Sequence, residues 1–326
     1  MRRRAFLWGL GGAAAWPFAA AAQSATAKPV VAILWPSTEK LDVVFLAAIR
    51  DGLKAEGYVD GQNLALEMRY ADGDFNRFPA LAAELATLKP RVIATSTDLA
   101  VRAVQSTMPT VPLVALLGSD PVAQGYAQSL ARPGGMVTGV KTGVDIGPAA
   151  GKRLSLLKEA MPQLARLAVL FDPGFPSDME TLDGVKSAAA ELGLVVAAYP
   201  VRSPRDVEPA FQAGIAAQAQ AFFVSGNMFS YHAEVAAAAL RARRGAIALN
   251  PDFVRDGLLM SYGADFLDLW RQITPYIARI LRGASPGDLP IAQPTKFSLT
   301  INLKTAKALG LTIPPTLLAR ADEVIE

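Results

Sequence analysis

Residues 30–38 read Val30-Val31-Ala32-Ile33-Leu34-Trp35-Pro36-Ser37-Thr38. The first six are all apolar, which is typical of a strand that is buried on both faces of a parallel sheet. Pro36 ends the strand, and a helical pattern of apolar residues follows from Val43 until Gly57. We therefore interpret this stretch as a buried strand that leads through a short turn into a helix, the opening unit of an α/β fold.

The same alternation continues along the chain. It predicts strands at 64–70, 91–95 and 112–117, with helices at 78–88 and 98–106 between them. The pattern then restarts, with strands at 167–171, 195–201 and 221–225 and helices at 180–192 and 207–218. Strands that alternate with helices over short connections predict βαβ units and therefore parallel sheets.

The two halves of the chain resemble each other. Ala32-Ile33-Leu34 corresponds to Ala168-Val169-Leu170, and Gly57 corresponds to Gly193, with the same offset of 136 residues in both pairs. A period of this length is far longer than that of a solenoid. Either the chain repeats one α/β lobe, or two Rossmann-like halves look alike because they share a general pattern. Both interpretations predict two similar lobes.

Turn residues indicate where the chain passes from one lobe to the other. Pro133-Gly134-Gly135, within 132–139, marks the predicted boundary, and a crossing segment is expected to begin at Val137. A second crossing is expected at 258–263, followed by a helix at 265–281 and a returning strand at 297–301. We expect lobe 1 at 29–136, completed by 264–290, and lobe 2 at 140–258, completed by 293–326. Several crossings predict a hinge and not a loose linker.

The N-terminus has the pattern of an export signal. Arg2-Arg3-Arg4 precedes an apolar run that ends at Ala20-Ala21-Ala22, which fits an A-x-A cleavage site. The Arg3-Arg4-x-Phe6-Leu7 core is twin-arginine-like, a type that exports folded proteins. The alternative is a membrane anchor or an amphipathic N-terminus, but the run is shorter than the ~20 apolar residues that a span needs and ends in a cleavage site. We predict a signal peptide at 1–22 that is cleaved, and a periplasmic protein.

Composition argues against several functions. The formal net charge of +3 equals the three arginines of the predicted signal, so the rest has no basic excess for nucleic acid. The chain has no Cys and one His, His232, which argues against thiolate metal sites, zinc and a His-dependent triad. No GxGxxG follows a strand, and Gly147 to Arg153 lacks the length and the Ser/Thr of a phosphate loop. We expect no catalysis, cofactor or metal.

Polar and aromatic residues follow the predicted strands, at the edge where open parallel sheets bind ligands. The candidate ligand-binding residues are Trp35, Ser37, Thr38, Ser96, Thr97, Ser119, Asp120, Asp172, Phe175, Asn227, Asn250 and Asp252. Hydroxyls at helix N-termini suit a carboxylate, and the three aspartates of this set suit an ammonium group. Its aromatic residues, together with Phe229 and Tyr262, offer flat apolar walls. Each residue has a plainer alternative as a helix cap, a turn residue or a core side chain, so the hypothesis depends on their convergence.

Longer motifs resemble those of a known family. They are Gly52-Leu53-x4-Gly57-Tyr58-Val59-x-Gly61-Gln62-Asn63, Leu130-x-Arg132-Pro133-Gly134-Gly135-x-Val137-Thr138-Gly139, Gly257-Leu258-Leu259-Met260-Ser261-Tyr262-Gly263, and Asn302-Leu303-Lys304-Thr305-Ala306-Lys307-Ala308-Leu309-Gly310-Leu311. With these motifs the chain resembles, over essentially its whole length, a family of ABC-transporter substrate-binding proteins that is similar to the type I periplasmic binding proteins. The resemblance implies an α/β fold of two flavodoxin-like (Rossmann-like) lobes with parallel sheets, joined by a multi-strand hinge.

The resemblance also implies a function. We expect an exported, monomeric solute-binding protein that captures a small polar metabolite, amino-acid-like or aromatic, and delivers it to an ABC permease in the inner membrane. The alternative is a ligand-sensing subunit that reports to a membrane receptor or kinase, and an enzyme is the third interpretation. Some relatives are implicated in the uptake of aromatic amino acids. Many members carry Gly-Gly-Thr-Pro where this chain has Thr95-Ser96-Thr97-Asp98, so the identity of the ligand does not carry over.

Overall fold

The computed structural model describes residues 28–142 and 147–326. The predicted signal peptide at 1–22 lies outside the described residues. The described chain forms two α/β lobes, each built around its own sheet. Within these two ranges, no helix is both long enough and apolar enough to span a bilayer.

Lobe 1 contains a five-stranded parallel sheet in the order β2-β1-β3-β4-β5. Its strands and first helices are β1 (Val30–Trp35), α1 (Glu39–Ala55), β2 (Ala65–Tyr70), α2 (Phe78–Thr87), β3 (Val92–Thr95), α3 (Asp98–Thr107), β4 (Leu113–Leu117) and β5 (Val137–Lys141). The predicted opening strand is confirmed. Val31, Ile33 and Trp35 enter one core of the lobe, while Ala32 and Leu34 enter the core on the other face. This burial on both faces is why the strand is apolar throughout.

Lobe 2 contains a seven-stranded sheet in the order β12-β11-β10-β9-β8-β6-β7. Its elements are α4 (Gly147–Ala160), β6 (Arg166–Phe171), α5 (Pro176–Glu191), β7 (Val195–Pro200), α6 (Pro204–Ala216), β8 (Ala221–Val224), α7 (His232–Ala242), β9 (Gly245–Ala248), α8 (Pro251–Arg255) and β10 (Met260–Ala264). The chain then forms α9 (Phe266–Leu281), β11 (Phe297–Asn302), α10 (Leu303–Ala308), α11 (Pro315–Leu318) and β12 (Glu323–Ile325).

One strand pair of the second sheet is antiparallel, whereas the sequence pattern predicts parallel pairing. β11 runs antiparallel to β10, with Met260 opposite Ile301 and Ala264 opposite Phe297. Between these strands the chain leaves lobe 2, forms α9 against α1 of lobe 1, and comes back. It therefore re-enters the second sheet from the hinge end, which reverses the direction of the strand.

The first passage between the lobes lies later than the sequence predicts. Residues 137–141 pair with β4 as the edge strand of the first sheet, so they are neither a crossing segment nor part of lobe 2. The strand is buried throughout, and the added Cβ of any larger residue at Gly139 would lie 2.0 Å from the Ala115 carbonyl oxygen. The turn at Pro133-Gly134-Gly135 stays inside lobe 1, where the Gly134 N–H donates to the Gly287 carbonyl at 3.0 Å. A turn signal alone does not distinguish a turn within a lobe from a passage between lobes.

The second passage also differs from the expected range of 258–263. β10 pairs with β9 and β11, so these residues belong to the second sheet and the passage follows Ala264. Helix α9 then buries the stripe of Trp270, Ile273 and Ile277 in the core of lobe 1. The chain remains with lobe 1 until Ala292, whose carbonyl accepts from the Lys141 N–H at 2.8 Å.

Candidate ligand-binding cleft

A cavity lies between the lobes, at the carboxyl ends of strands from both sheets. The space that the centre of a water-sized sphere can occupy in it is ≈ 80 Å³. On this measure a single water molecule requires ~10–15 Å³, so the cavity has room for more than one. Lobe 1 contributes Trp35, Pro36, Ser37, Asp42, Phe45, Phe75, Ser96, Thr97, Asp98, Gly118, Thr142, Phe266 and Trp270. Lobe 2 contributes Ser177, Gly226, Asn227, Phe229, Ser230, Leu249 and Asn250.

Aromatic rings form much of the cavity wall. Trp35 is 1% exposed and lies between Tyr70, whose ring is stacked at 6.4 Å between centroids, and Trp270, whose ring is tilted at 4.5 Å. Phe45 of α1 meets Phe229 of lobe 2 at 6.3 Å between centroids. A flat apolar body or a cation placed between such rings gains both burial and contact with the negative ring faces.

Asp42 presents a buried carboxylate from α1 of lobe 1. It is 2% exposed and accepts a hydrogen bond from the hydroxyl of Ser37. Burial raises the pKa of Asp42 to about 7, and the Ser37 hydroxyl offsets only part of that rise. The group is therefore close to the balance between its neutral and charged forms at neutral pH, and a nearby cation would shift that balance toward the charged form.

Asp98 presents a second buried carboxylate, from the first residue of α3. The side chain of Thr97 caps this helix by accepting from the Ala100 N–H, and Asp98 lines the cavity from the first turn. Asp98 is 1% exposed and accepts from the Ser119 hydroxyl at 2.7 Å. Burial raises its pKa, while hydrogen bonds from Ser119 and the charge of Arg102 oppose that rise.

A hydrogen-bond network around Asp178 builds the wall of lobe 2. The fully buried carboxylate of Asp178 accepts from the Asp172 N–H at 2.7 Å, the Ser225 hydroxyl at 2.5 Å and the Asn227 amide at 2.6 Å. The same Asn227 amide nitrogen donates to the Ser177 hydroxyl at 3.0 Å. The ends of β6 and β8 and the start of α5 are thereby held together, which fixes Ser177 and Asn227 at the cavity.

Direct contacts across the cleft show that the lobes are closed on each other. The Asp120 N–H of lobe 1 donates to both carboxylate oxygens of Glu180 in α5, at 3.1 and 3.2 Å. Phe75 meets Phe175 edge to face at 4.9 Å between ring centroids. At Gly118 the lobes are so close that an added Cβ would lie 3.0 Å from the Cβ of Ser177.

The structure brings half of the sequence-predicted site residues to the cavity. Those that line it are Trp35, Ser37, Ser96, Thr97, Asn227 and Asn250. Among the described residues, the cavity wall adds members that the sequence reading did not select, above all Asp42, Phe75, Ser177, Phe266 and Trp270.

Three of the remaining residues hold the cleft's framework. Thr38 caps α1 by accepting from the Leu41 N–H, and the Ser119 hydroxyl donates to Asp98. Asp120 accepts from the N–H groups of the turn that follows it, while its own N–H makes the contact with Glu180.

The other three lie away from the cavity wall. Asp172 and Phe175 lie in an adjoining groove between the lobes. Asp252 forms an ion pair with Arg255 at 2.8 Å. A strand end therefore locates the cleft but does not decide which side chains face it, because turn and cap geometry directs some of them into the protein.

Of the cavity-lining residues that the sequence analysis did not select, some lie in a sequence pattern that indicates a role and others do not. Asp42 lies on the same helical face as Phe45, Leu46 and Ile49, all of which are buried, and a carboxylate in such a stripe indicates a specific role. Trp270 gave no such signal, because its approach to Trp35 results from the passage of α9 back to lobe 1.

Two buried polar groups of the cavity wall have no hydrogen-bond partner within the described residues. They are the indole N–H of Trp35 and the hydroxyl of Thr142. Because buried polar groups are normally paired, these atoms are available to a bound molecule or to water. In the same ranges, no cluster of three His, Cys, Asp or Glu side chains has the arrangement of a metal site.

Comparisons with known proteins agree with this architecture. A structure of a conserved domain protein from Vibrio cholerae superposes with a TM-score of 0.84 at 27% identity, covering 91% of this chain and 99% of the other. A structure of an ABC domain in complex with L-Trp from Streptococcus pneumoniae gives a TM-score of 0.83 at 23% identity, covering 91% and 100%. The fold is that of the type I periplasmic binding proteins.

Sequence comparison identifies the family. A tyrosine-binding protein from Clostridioides difficile is 24% identical over 277 residues, which cover 85% of this chain and 78% of the relative. The family model for ABC transporter substrate binding proteins matches residues 38–325, nearly the whole of both lobes. The chain therefore belongs to the ABC transporter substrate binding protein family.

Proposed function

We propose that this protein captures a small amino-acid-like or aromatic metabolite in the cleft between its lobes and delivers it to an ABC permease. The observation that carries the proposal is the closed cavity, which has aromatic walls from both lobes and unpartnered polar groups within the described residues. The relatives named as tyrosine-binding and as a complex with L-Trp support an aromatic ligand.

Closure is the step that turns binding into a signal for transport. Ligand contacts from both lobes favour the closed form, because they are complete only when Phe229 and Asn227 approach Trp35 and Asp98. A permease that contacts both lobes at once would distinguish this closed form from an open one. The export signal predicted at 1–22 would bring the protein to the compartment where such a permease presents its outer face.

Binding with closure can be tested by thermal melting of the purified protein against amino acids, aromatic amines, aromatic acids, sugars and nucleobases. A ligand at about 100 times its Kd stabilises the folded state by about 2.7 kcal/mol, and one chemical class should therefore raise the Tm clearly. A panel with no effect on Tm would count against the proposal.

A glycine variant tests the closure itself. Gly118→Ala adds a methyl group against Ser177 at the point of closest approach, so we expect at least a tenfold loss of ligand affinity with little change in Tm without ligand. Gly135→Ala is the matched control in the same lobe, because its nearest contact would be an ordinary 3.7 Å. Equal affinities in the two variants would show that the closed arrangement is not the binding form.

A further inference from the structure

The charge of the cleft restricts the class of ligand. Among the described residues that line the cavity there are two carboxylates, Asp42 and Asp98, and no Lys, Arg or His. Both carboxylates are at least 98% buried, and each is hydrogen-bonded to a serine hydroxyl, Ser37 or Ser119. A buried carboxylate without a cation is costly, so a site that contains two of them favours a positively charged occupant.

Helix N-termini, which would otherwise attract an anion, are already occupied by the protein's own carboxylates. Five helices begin beside the cavity, and each has an acidic cap or an acidic first turn. These groups are Asp42 in α1, Asp98 in α3, Asp178 in α5, Asp252 in α8 and the Asp265 cap of α9. The positive ends of these helices thus already face carboxyl groups of the protein itself.

Two basic side chains of lobe 1, Lys141 and Arg102, interact with groups outside the cavity wall. Lys141 interacts electrostatically with the carboxylates at the contact that closes the lobes. Burial raises the pKa of Glu180, and the charge of Lys141 opposes that rise. At Asp120 burial acts in the same direction, but backbone N–H groups together with Lys141 outweigh it and lower the pKa. Arg102 donates to Gln124 at 2.7 Å and to the Tyr126 hydroxyl at 3.2 Å. Neither side chain lines the cavity.

The rest of the wall fits the body of an organic cation. Six aromatic residues line the cavity, five from lobe 1 and one, Phe229, from lobe 2: Trp35, Phe45, Phe75, Phe229, Phe266 and Trp270. Their faces attract a cation as well as a flat ring. The partnerless Trp35 N–H is a donor, so it suits a neutral acceptor such as a hydroxyl oxygen on the ligand.

We infer that the ligand is an aromatic amine that carries a positive charge and no carboxylate, with its ammonium group held by Asp42 and Asp98. This inference rests on the proposed function and specifies its substrate class. The carboxylate of an amino acid would enter a closed cavity that already holds two buried carboxyl groups and offers only neutral donors. Its burial costs desolvation, and each of the two groups that is ionised adds repulsion.

Matched sets of compounds test the inference by calorimetric titration of the purified protein. The sets are tyramine with tyrosine and 3-(4-hydroxyphenyl)propionate, and tryptamine with tryptophan and indole-3-propionate. We expect an amine to bind at least tenfold more tightly than its amino acid, and the acid that lacks the amino group not to bind. An amino acid that binds as tightly as its amine would overturn the inference and leave the proposed function intact. If no member of either set binds and no compound of the wider melting panel changes the Tm, the inference and the proposed function are both contradicted.

Variants of the two carboxylates separate a charge effect from a structural one. Asp98→Asn should weaken amine binding at least tenfold and lower the amine-to-amino-acid preference, because it removes a negative charge from the N-terminus of α3. Asp42→Asn should do the same, and provides a second test should the first variant not fold. Asp183→Asn, at an exposed position of α5, is the control and should leave the preference unchanged. A preference that stays the same in both cleft variants would contradict the assignment.

Discussion

The buried carboxylates on the two sides of the cleft are used in different ways. On the lobe 2 side, Asp178 receives hydrogen bonds from three donors, which belong to β6, β8 and their connections. On the lobe 1 side, Asp42 receives a side-chain hydrogen bond from Ser37 and faces the cavity. A carboxylate surrounded by donors is part of the framework, whereas one with spare acceptor capacity at a cavity is suited to recognition.

The largest effect should come from removing the framework carboxylate. Asp178→Ala leaves the buried Asp172 N–H and Ser225 hydroxyl without this acceptor, and the half-buried Asn227 amide keeps only Ser177 among the described residues. We expect the free energy of unfolding to fall by roughly 5 kcal/mol, since each unsatisfied group costs about 1–3 kcal/mol. Urea denaturation measures this loss. Asp183→Asn lies on the same helix in an exposed position and should stay within about 0.5 kcal/mol of the parent. A loss below about 1 kcal/mol for Asp178→Ala would show that the Asp178 carboxylate does not stabilise the fold more than a surface carboxylate does.

The next effect is a pH dependence of stability that originates on the lobe 1 side. Burial raises the pKa of Asp42 from 3.8 to about 7 in the folded protein. The folded state therefore keeps its proton at pH values where the unfolded state has lost it, so stability falls as the pH rises from about 4 to about 7. Three pKa units correspond to a loss of up to about 4 kcal/mol over that range.

Asp42→Asn provides the comparison for this pH effect, because its side chain cannot ionise. Measured by Tm across pH 4–7 without ligand, the parent should lose stability relative to Asp42→Asn as the pH rises. The raised pKa of Asp98 acts in the same direction in both proteins and cancels in the difference. Parallel curves for the two proteins would mean that Asp42 is not held in the buried state described above.

The smallest effect concerns Glu180, a lobe 2 carboxylate that accepts from lobe 1. Glu180→Ala removes the acceptor of the Asp120 N–H. We expect ligand affinity to fall about fivefold, near 1 kcal/mol, because this hydrogen bond forms only on closure and its donor returns to water on opening. Titration with the tightest compound of the melting panel measures the change, and Glu191→Ala, at the exposed end of the same helix, is the control. Unchanged affinity in Glu180→Ala would show that this contact does not contribute to closure.

Local patterns in the sequence predicted the elements of the fold well. The apolar run at 30–35 and the matching run near 167–171 are strands with nearly the expected limits, because strands buried on both faces leave a continuous apolar signal. The order of lobes followed from the repeated alternation. The passages between lobes were misplaced by a few residues, because the residues of β5 and β10 have the same buried character whether they cross or pair.

The candidate site was predicted only in part, because local sequence does not fix the direction or the partner of a side chain that follows a strand. Residues directly after strands, such as Trp35 and Asn227, reach the cavity because parallel strands end at the same edge. Asp120 and Asp252 follow strands as well, yet a turn and an ion pair occupy their carboxylates. The sequence does not show which hydrogen-bonding option a side chain takes when a backbone N–H, a guanidinium group and a ligand all lie within reach.

The sequence by itself determined the two-lobed α/β architecture, the family and the edge of the sheets at which the candidate cleft lies, because periodicity and motifs are local properties of the chain. Only the tertiary structure decided which charges meet in the cleft. Asp42 and Trp270 are 228 positions apart in the sequence, and they share one cavity because α9 returns to lobe 1. The free-energy cost of burying a carboxylate depends on neighbouring groups that are distant in the sequence, and no local sequence pattern reports which groups these are.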